Sequence, residues 1–298
     1  MRTLPLLTAA VALALAASAC HRDARPDEPA PKAAAVAETA PEPAGIVADI
    51  ARVQAGDWRE AKNVARDRYR RPAQTLEFFG IAPNMTVIEI WPGGGWYTEI
   101  LGPYLRDRGH YVAAINDPAK ATTDKSRDSW QATSDKLRAK VLARPDAYGS
   151  PVFLAFDPQA PELGAPETVD AVLTFRNVHN WVMQGTEADM FEAFYEVLKP
   201  GGVLGVVDHR ARAGAPPEEM KTSGYLPEAS VIAMALRAGF VLEARSEINA
   251  NPKDTADYPD GVWTLPPTLA KGEVDKDKYL AIGESDRMTL RFRKPGGR

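Results

Sequence analysis

The stretch VIEIWPGGGWYTEIL, Val87 to Leu101, decides how the rest of the chain is read. An apolar run reads as a strand, the three glycines Gly93, Gly94 and Gly95 follow it, and an apolar-periodic segment comes next. Glycines at such a turn let backbone approach a ligand with no side chain between, and the free N–H groups that open the next helix favour a negative group there. A dinucleotide fingerprint needs glycines at the first, third and sixth places. Gly93 and Gly95 fill the first two, but Thr98 stands at the sixth, so the pyrophosphate-binding pattern is only partly matched.

Outward from this turn, strand signals recur at Thr86–Trp91, His110–Ile115, Pro151–Phe156, Val169–Phe175, Val203–Asp208, Phe240–Ile248 and Met288–Arg293. Helical patterns lie between most of them. Trp96 to Leu105 carries one apolar stripe, and Met190 to Leu198 carries another, with Thr186 and Asp189 as a capping box and Lys199-Pro200-Gly201-Gly202 as its stop. Arg71-Pro72 opens a short helix ending at Phe79-Gly80, and Ile46 to Tyr69 is charged and helix-compatible. Trp130, in the charged segment Ala121 to Leu142, reads as a core contact on an amphipathic face. Strands alternating with helices predict an α/β, doubly wound, mostly parallel seven-stranded sheet with helices on both faces. Ligands of such sheets bind outside the carboxyl ends of the strands.

The first 45 residues have a different character. Residues 1–19 hold an early arginine, an apolar run and small residues, the pattern of an export signal. Cys20 is the one cysteine in the chain, and Ala17-Ser18-Ala19-Cys20 resembles the bacterial lipoprotein processing box, which implies a lipid on Cys20 and attachment to a membrane facing the periplasm, the outer membrane being expected. An ordinary secretory signal with a chance cysteine is the alternative. Residues 20–45 are rich in proline, alanine and charge and lack aromatics, so they read as a tether to a domain spanning 46–298. No disulfide can staple that domain, which therefore depends on burial. A net charge of -4 and a pI near 5.7 argue against a nucleic-acid partner.

The glycine turn with its neighbours resembles a class I S-adenosylmethionine-dependent methyltransferase. Glu89 through Gly95 aligns with that family's first motif, an acidic residue followed by glycines in alternate places. The family order continues with Asp117 after the second strand, Asp157 after the third, Arg176-Asn177-Val178-His179-Asn180-Trp181 after the fourth and Leu198-Lys199-Pro200-Gly201-Gly202 before the fifth. WPGGGWYTEIL, RNVHNW and GESDRMTLRFRKP also resemble a group of predicted exported bacterial methyltransferases. The resemblance implies S-adenosylmethionine as cofactor, with Glu89 and the Gly93 to Gly95 backbone bordering its methionine end. It implies Asp117 on the ribose hydroxyls, Asn116 being a near rival, and Asp157 on the adenine amino group. For either aspartate a turn or helix cap is the structural alternative. Trp91 departs from the family, standing where its first motif glycine would be, and would either wall the methionine pocket or close it.

Methyl transfer to a hydroxyl or amine needs a base. His179 is the candidate, at the strand end where a small-molecule methyl acceptor belongs, with Asn177 and Arg176 beside it to orient that acceptor. Asp208-His209-Arg210 at the next strand end would face them, whereas His110 begins its strand and reads as structural. His179 and His209 could instead hold loop carbonyls. The spacing of His179, Asp208 and His209 matches no zinc pattern, so no metal is expected, although a hydrolase using these three groups is a rival, as is a noncatalytic ligand-binding lipoprotein. The long connection 251–284 before the last strand reads as a binding loop or as packing decoration.

Overall fold

A computed structural model describes residues 45–296, the Pro217 side chain excepted. The export segment, Cys20 and nearly all of the tether lie outside the described residues. Among the described residues no helix is long and apolar enough to cross a membrane.

The elements run α1 (Ile46–Gln54), α2 (Ala61–Val64), α3 (Asp67–Arg70), α4 (Pro72–Phe79), β1 (Thr86–Ile90), α5 (Thr98–Leu105), β2 (His110–Asn116), α6 (Asp124–Leu142), α7 (Pro145–Tyr148) and β3 (Val152–Phe156). They continue with β4 (Val169–Phe175), α8 (Val178–Gln184), α9 (Glu187–Val197), β5 (Leu198–His209), α10 (Glu228–Arg237), β6 (Val241–Ser246), α11 (Lys276–Ile282) and β7 (Arg287–Arg293). The seven strands form one sheet in the order β3-β2-β1-β4-β5-β7-β6, parallel except for β7, which runs antiparallel to both neighbours.

Burial explains why this sheet is covered on both faces. Along β1, Ile88 and Ile90 join one cluster with Trp181, Phe191, Phe194 and Val231 of α8, α9 and α10. Val87 points the other way, into a cluster with Ile50, Leu76, Phe79 and Ile100 of α1, α4 and α5. The period of two thus divides one strand between two cores. Gly205 in β5 allows a close approach on this second face, because a Cβ there would stand 2.9 Å from the Phe79 ring and 2.7 Å from Leu173.

Three local expectations need correction. The Lys199-Pro200-Gly201-Gly202 segment does not form a turn after α9; it enters the sheet as the start of β5, beside a register irregularity between Val169 and Ala171. Thr186 does precede α9, but its side chain makes no cap hydrogen bond, and its hydroxyl is buried without a partner among the described residues. Trp130 stays half-buried outside the core clusters, since α6 buries Ser134, Leu137 and Val141 instead. The charged, helix-compatible segment 46–69 forms α1, α2 and the start of α3.

Candidate functional site

Strand order reverses between β1 and β4, and the chain segments that leave these two strands diverge to open a crevice at their carboxyl ends. Trp91 follows β1 with its N–H still bonded to Ala114 O at 2.8 Å, and it takes φ 47, the left-handed backbone that glycine adopts without strain. Its indole is 6.4 Å from Phe156 in a stacked arrangement and 5.7 Å from Trp181 edge-on. Trp91 therefore walls the pocket rather than closing it: a cavity of about 310 Å³ remains beside the turn, with Glu89, Gly93, Gly94 and Trp91 in its lining.

The three glycines have different tasks. A Cβ on Gly93 or Gly94 would meet nothing within 4 Å, so both face open space. Gly95 is not in the lining of this cavity. It is buried with φ 81, and a Cβ there would lie 2.7 Å from Leu137 of α6, so this glycine lets the turn pack on the neighbouring helix.

Glu89 reaches the cavity wall as a buried acid. Its Oε2 accepts from the Tyr111 hydroxyl at 2.5 Å and from Thr98 at 3.2 Å. Burial pushes its pKa up to about 7 against the opposing effects of these two donors and of Arg70, so the group retains its proton well above the ordinary carboxylate range.

The chain ahead of β1 supplies the opposite wall. Asn63, Arg66 and Arg70 line the cavity, and Tyr97 and Phe175 stack within it at 3.5 Å between ring centroids. Asn63 is fixed from both sides, its backbone carbonyl accepting Trp96 Nε1–H at 2.8 Å and its side-chain amide donating to Glu99 at 2.8 Å. Arg66 and Arg70 both donate through Nε to Glu284, at 2.5 and 3.1 Å, and Arg287 donates to the same carboxylate at 3.1 Å. Sequence reasoning missed this cluster. Its available signal was the spacing of Arg66 and Arg70, four apart in a helix-compatible segment and therefore on one face.

Asn177 lines the same cavity, but its amide donates to Ile90 O at 2.8 Å and to Thr174 Oγ1 at 3.3 Å, which ties the ends of β1 and β4 together. Asp117 and Asp157 do not line it. Asp117 caps a short 3-10 turn by accepting from Ala119 N at 2.9 Å, and Asp157 accepts from Gln159 N at 2.9 Å, so each has the local capping role named as the alternative. Asn116 Oδ1 is buried without a partner.

A second cavity, of about 200 Å³, holds His179 and His209. Asp208 lies behind them, fully buried at the end of β5. His179 Nδ1 is 2.9 Å from Asp208 Oδ1, and an ionised carboxylate can only accept, so the neutral ring carries its proton on Nδ1 and presents the Nε2 lone pair. Asp208 also accepts from the backbone N–H of His209 at 2.7 Å and of His179 at 3.3 Å. His209 Nδ1 meets Ser285 Oγ at 2.5 Å. Burial, followed by the nearby His179 ring and the charges of Arg176, Arg287 and Arg70, holds the His209 imidazole neutral, well below its ordinary pKa. The structure thus groups His179, Asp208 and His209, whose ligand-type atoms lie within 4.8 Å of one another, although their sequence spacing matches no metal pattern. His110 is exposed at the start of β2, away from this group.

The connection 251–284 forms the outer wall here. Val262, Trp263, Pro266 and Pro267 line the histidine cavity, and Trp263 stands edge-on to His179 at 6.2 Å. The segment is anchored by Val262 N donating to Ser223 O at 2.8 Å and by packing of Val262 with Tyr225 and Ala256.

Known structures share this architecture. A crystal structure of an S-adenosylmethionine-dependent methyltransferase from Aquifex aeolicus matches 83% of this chain and 98% of its own, at 16% identity and a TM-score of 0.50. The [4+2]-cyclase SpnF matches 82% of this chain and 86% of its own, at 15% identity and a TM-score of 0.54. No protein-family profile matches the sequence, and no curated protein is significantly similar to it. The chain accordingly has the Rossmann-like fold found in S-adenosylmethionine-dependent methyltransferases. At these identities the likeness concerns fold alone, and the two neighbours are described by different activities.

Proposed function

We propose that this protein binds S-adenosylmethionine at the Gly93–Gly94 turn and transfers its methyl group to a small molecule. The observation that carries this reading is the open face of that turn, bordering a cavity next to buried guanidinium groups. The residues present suit the cofactor's amino-acid end: among the described residues Arg66 Nη2 and Arg70 Nη2 are buried donors without an acceptor, fitted to a carboxylate. Bound there, S-adenosylmethionine would supply an electrophilic methyl group. His179, oriented by Asp208, would take the proton from an acceptor hydroxyl or amine at Nε2. Asp117 and Asp157 retain the proposed ribose and adenine roles through the carboxylate oxygens not used in capping.

The test is isothermal titration of the full-length protein with S-adenosylmethionine, repeated with Gly94→Phe. Gly94 has free space around its Cβ position and no left-handed φ, so the ring fills the cavity without disturbing the backbone. Saturable binding by the wild type and at least a 100-fold loss in the variant are expected. No binding by the folded wild type would overturn the assignment.

The grouping of His179, Asp208 and His209 within 4.8 Å favours a second reading, a metal-assisted enzyme on the same fold. For location we propose a lipid on Cys20 that tethers the domain to a membrane on the periplasmic side. Radiolabelled palmitate should enter the wild type and not Cys20→Ala; equal labelling of both would remove the anchor.

A further inference from the structure

The two cavities share one lining residue, Arg176. It follows β4 with φ 63, a left-handed backbone that an arginine adopts only at a cost, and its own N–H is held by Val207 O at 2.7 Å. The strained backbone is thus fixed by the sheet. Its guanidinium makes no hydrogen bond or ion pair with any described residue.

Charge around it is unbalanced. The carboxylates that act on Arg176 are Glu284 and Asp208, and both are committed elsewhere. Glu284 accepts from Arg66, Arg70 and Arg287, and Asp208 accepts from His179 and from two backbone N–H groups. Burial and the neighbouring arginines pull the Arg176 pKa down to about 10 despite Glu284, which marks a cation short of anionic partners.

We propose that Arg176 receives the anionic group, a carboxylate or a phosphate, of a small methyl acceptor seated in the histidine cavity. This deepens the methyltransferase reading and rests on it. A planar guanidinium holds either anion through two parallel N–H bonds, which fixes orientation as well as affinity. The anion is a handle and not the methylated atom, because a base is needed only where the nucleophile carries a proton, and His179 lies in the same cavity. Trp263 and Pro266 in the wall provide an apolar surface for the body of the molecule. In the transfer, the hydroxyl or amine lone pair forms the bond to the methyl carbon, the carbon–sulfur pair returns to sulfur, and the proton goes to His179 Nε2.

The experiment is calorimetric titration of the full-length protein, at low salt and neutral pH, with inorganic phosphate and separately with benzoate. Saturable binding of at least one is expected, weakened tenfold or more in Arg176→Gln. Phosphate binding alone identifies a phosphorylated acceptor, and benzoate binding alone a carboxylic one. Arg176→Gln removes charge from an arginine-rich wall and is expected to fold, and Arg176→Lys, which keeps the charge but loses the paired donors, provides the second variant with intermediate affinity. Failure of the wild type to bind either anion, or wild-type affinity in Arg176→Gln, would overturn the proposal. Anion binding that depends on Arg176 without any S-adenosylmethionine binding would leave the anion site standing and remove methyl transfer.

Discussion

Replacing Glu284 with glutamine should lower the unfolding free energy by about 3–5 kcal/mol, the usual consequence of removing one partner from a buried ionic cluster. Glu284 is 3% exposed and is the shared acceptor for Arg66, Arg70 and Arg287. Burial by itself would push its carboxyl up, yet Arg70, Arg287, Arg66 and Arg176 hold it at about 2, against an ordinary 4.5. Because the folded-state value is depressed, this stabilisation is present above pH 4.5 and is lost as pH falls from there through about 2. At roughly 1.4 kcal/mol per pH unit, the shift corresponds to about 3 kcal/mol at neutral pH, consistent with the lower end of the mutational figure. Urea denaturation of both proteins at pH 7 and pH 3 checks this. The difference should be large at pH 7 and smaller at pH 3, and a difference below about 1 kcal/mol at pH 7 would show that the cluster is solvated rather than buried.

His179→Ala should reduce methyl transfer by about 10²–10⁴-fold, the range for loss of a positioned general base, while leaving S-adenosylmethionine affinity intact. Affinity is spared because His179 lines the histidine cavity and not the one at the glycine turn. Asp208 works through the imidazole, so His179→Ala combined with Asp208→Asn should be little slower than His179→Ala alone. Single-turnover rates with preloaded cofactor make the comparison independent of binding. The metal-assisted reading gives a different pattern: EDTA would abolish activity in the wild type, whereas proton transfer to His179 is indifferent to it. Unchanged turnover in His179→Ala would remove this histidine from the chemistry.

Both predictions involve groups that the chain brings together from far apart, and this separates what could be read in advance from what could not. The strand at β1, the glycine turn and the helix after it were legible because each depends on neighbours within a few residues. Period-two burial and a run of glycines are local signals. His179 and Asp208 were legible one step less directly, as residues at the carboxyl ends of successive parallel strands, where the fold class itself directs attention. Gly95 looked the same as Gly93 and Gly94 in sequence. Only the position of Leu137, on a helix some forty residues further on, assigns it to packing.

The sequence by itself determined the alternation of strands and helices, and with it the doubly wound sheet and the end of that sheet where a ligand belongs. Tertiary structure alone decided that Arg66 and Glu284, 218 residues apart, share one hydrogen bond, that Trp91 turns toward Phe156 and Trp181, and that Arg176 faces two cavities without a partner among the described residues. The physical reason is one of range. Backbone periodicity and turn chemistry act between residues close along the chain, whereas burial and Coulomb interactions depend on which distant segments pack together, and no local pattern encodes that pairing.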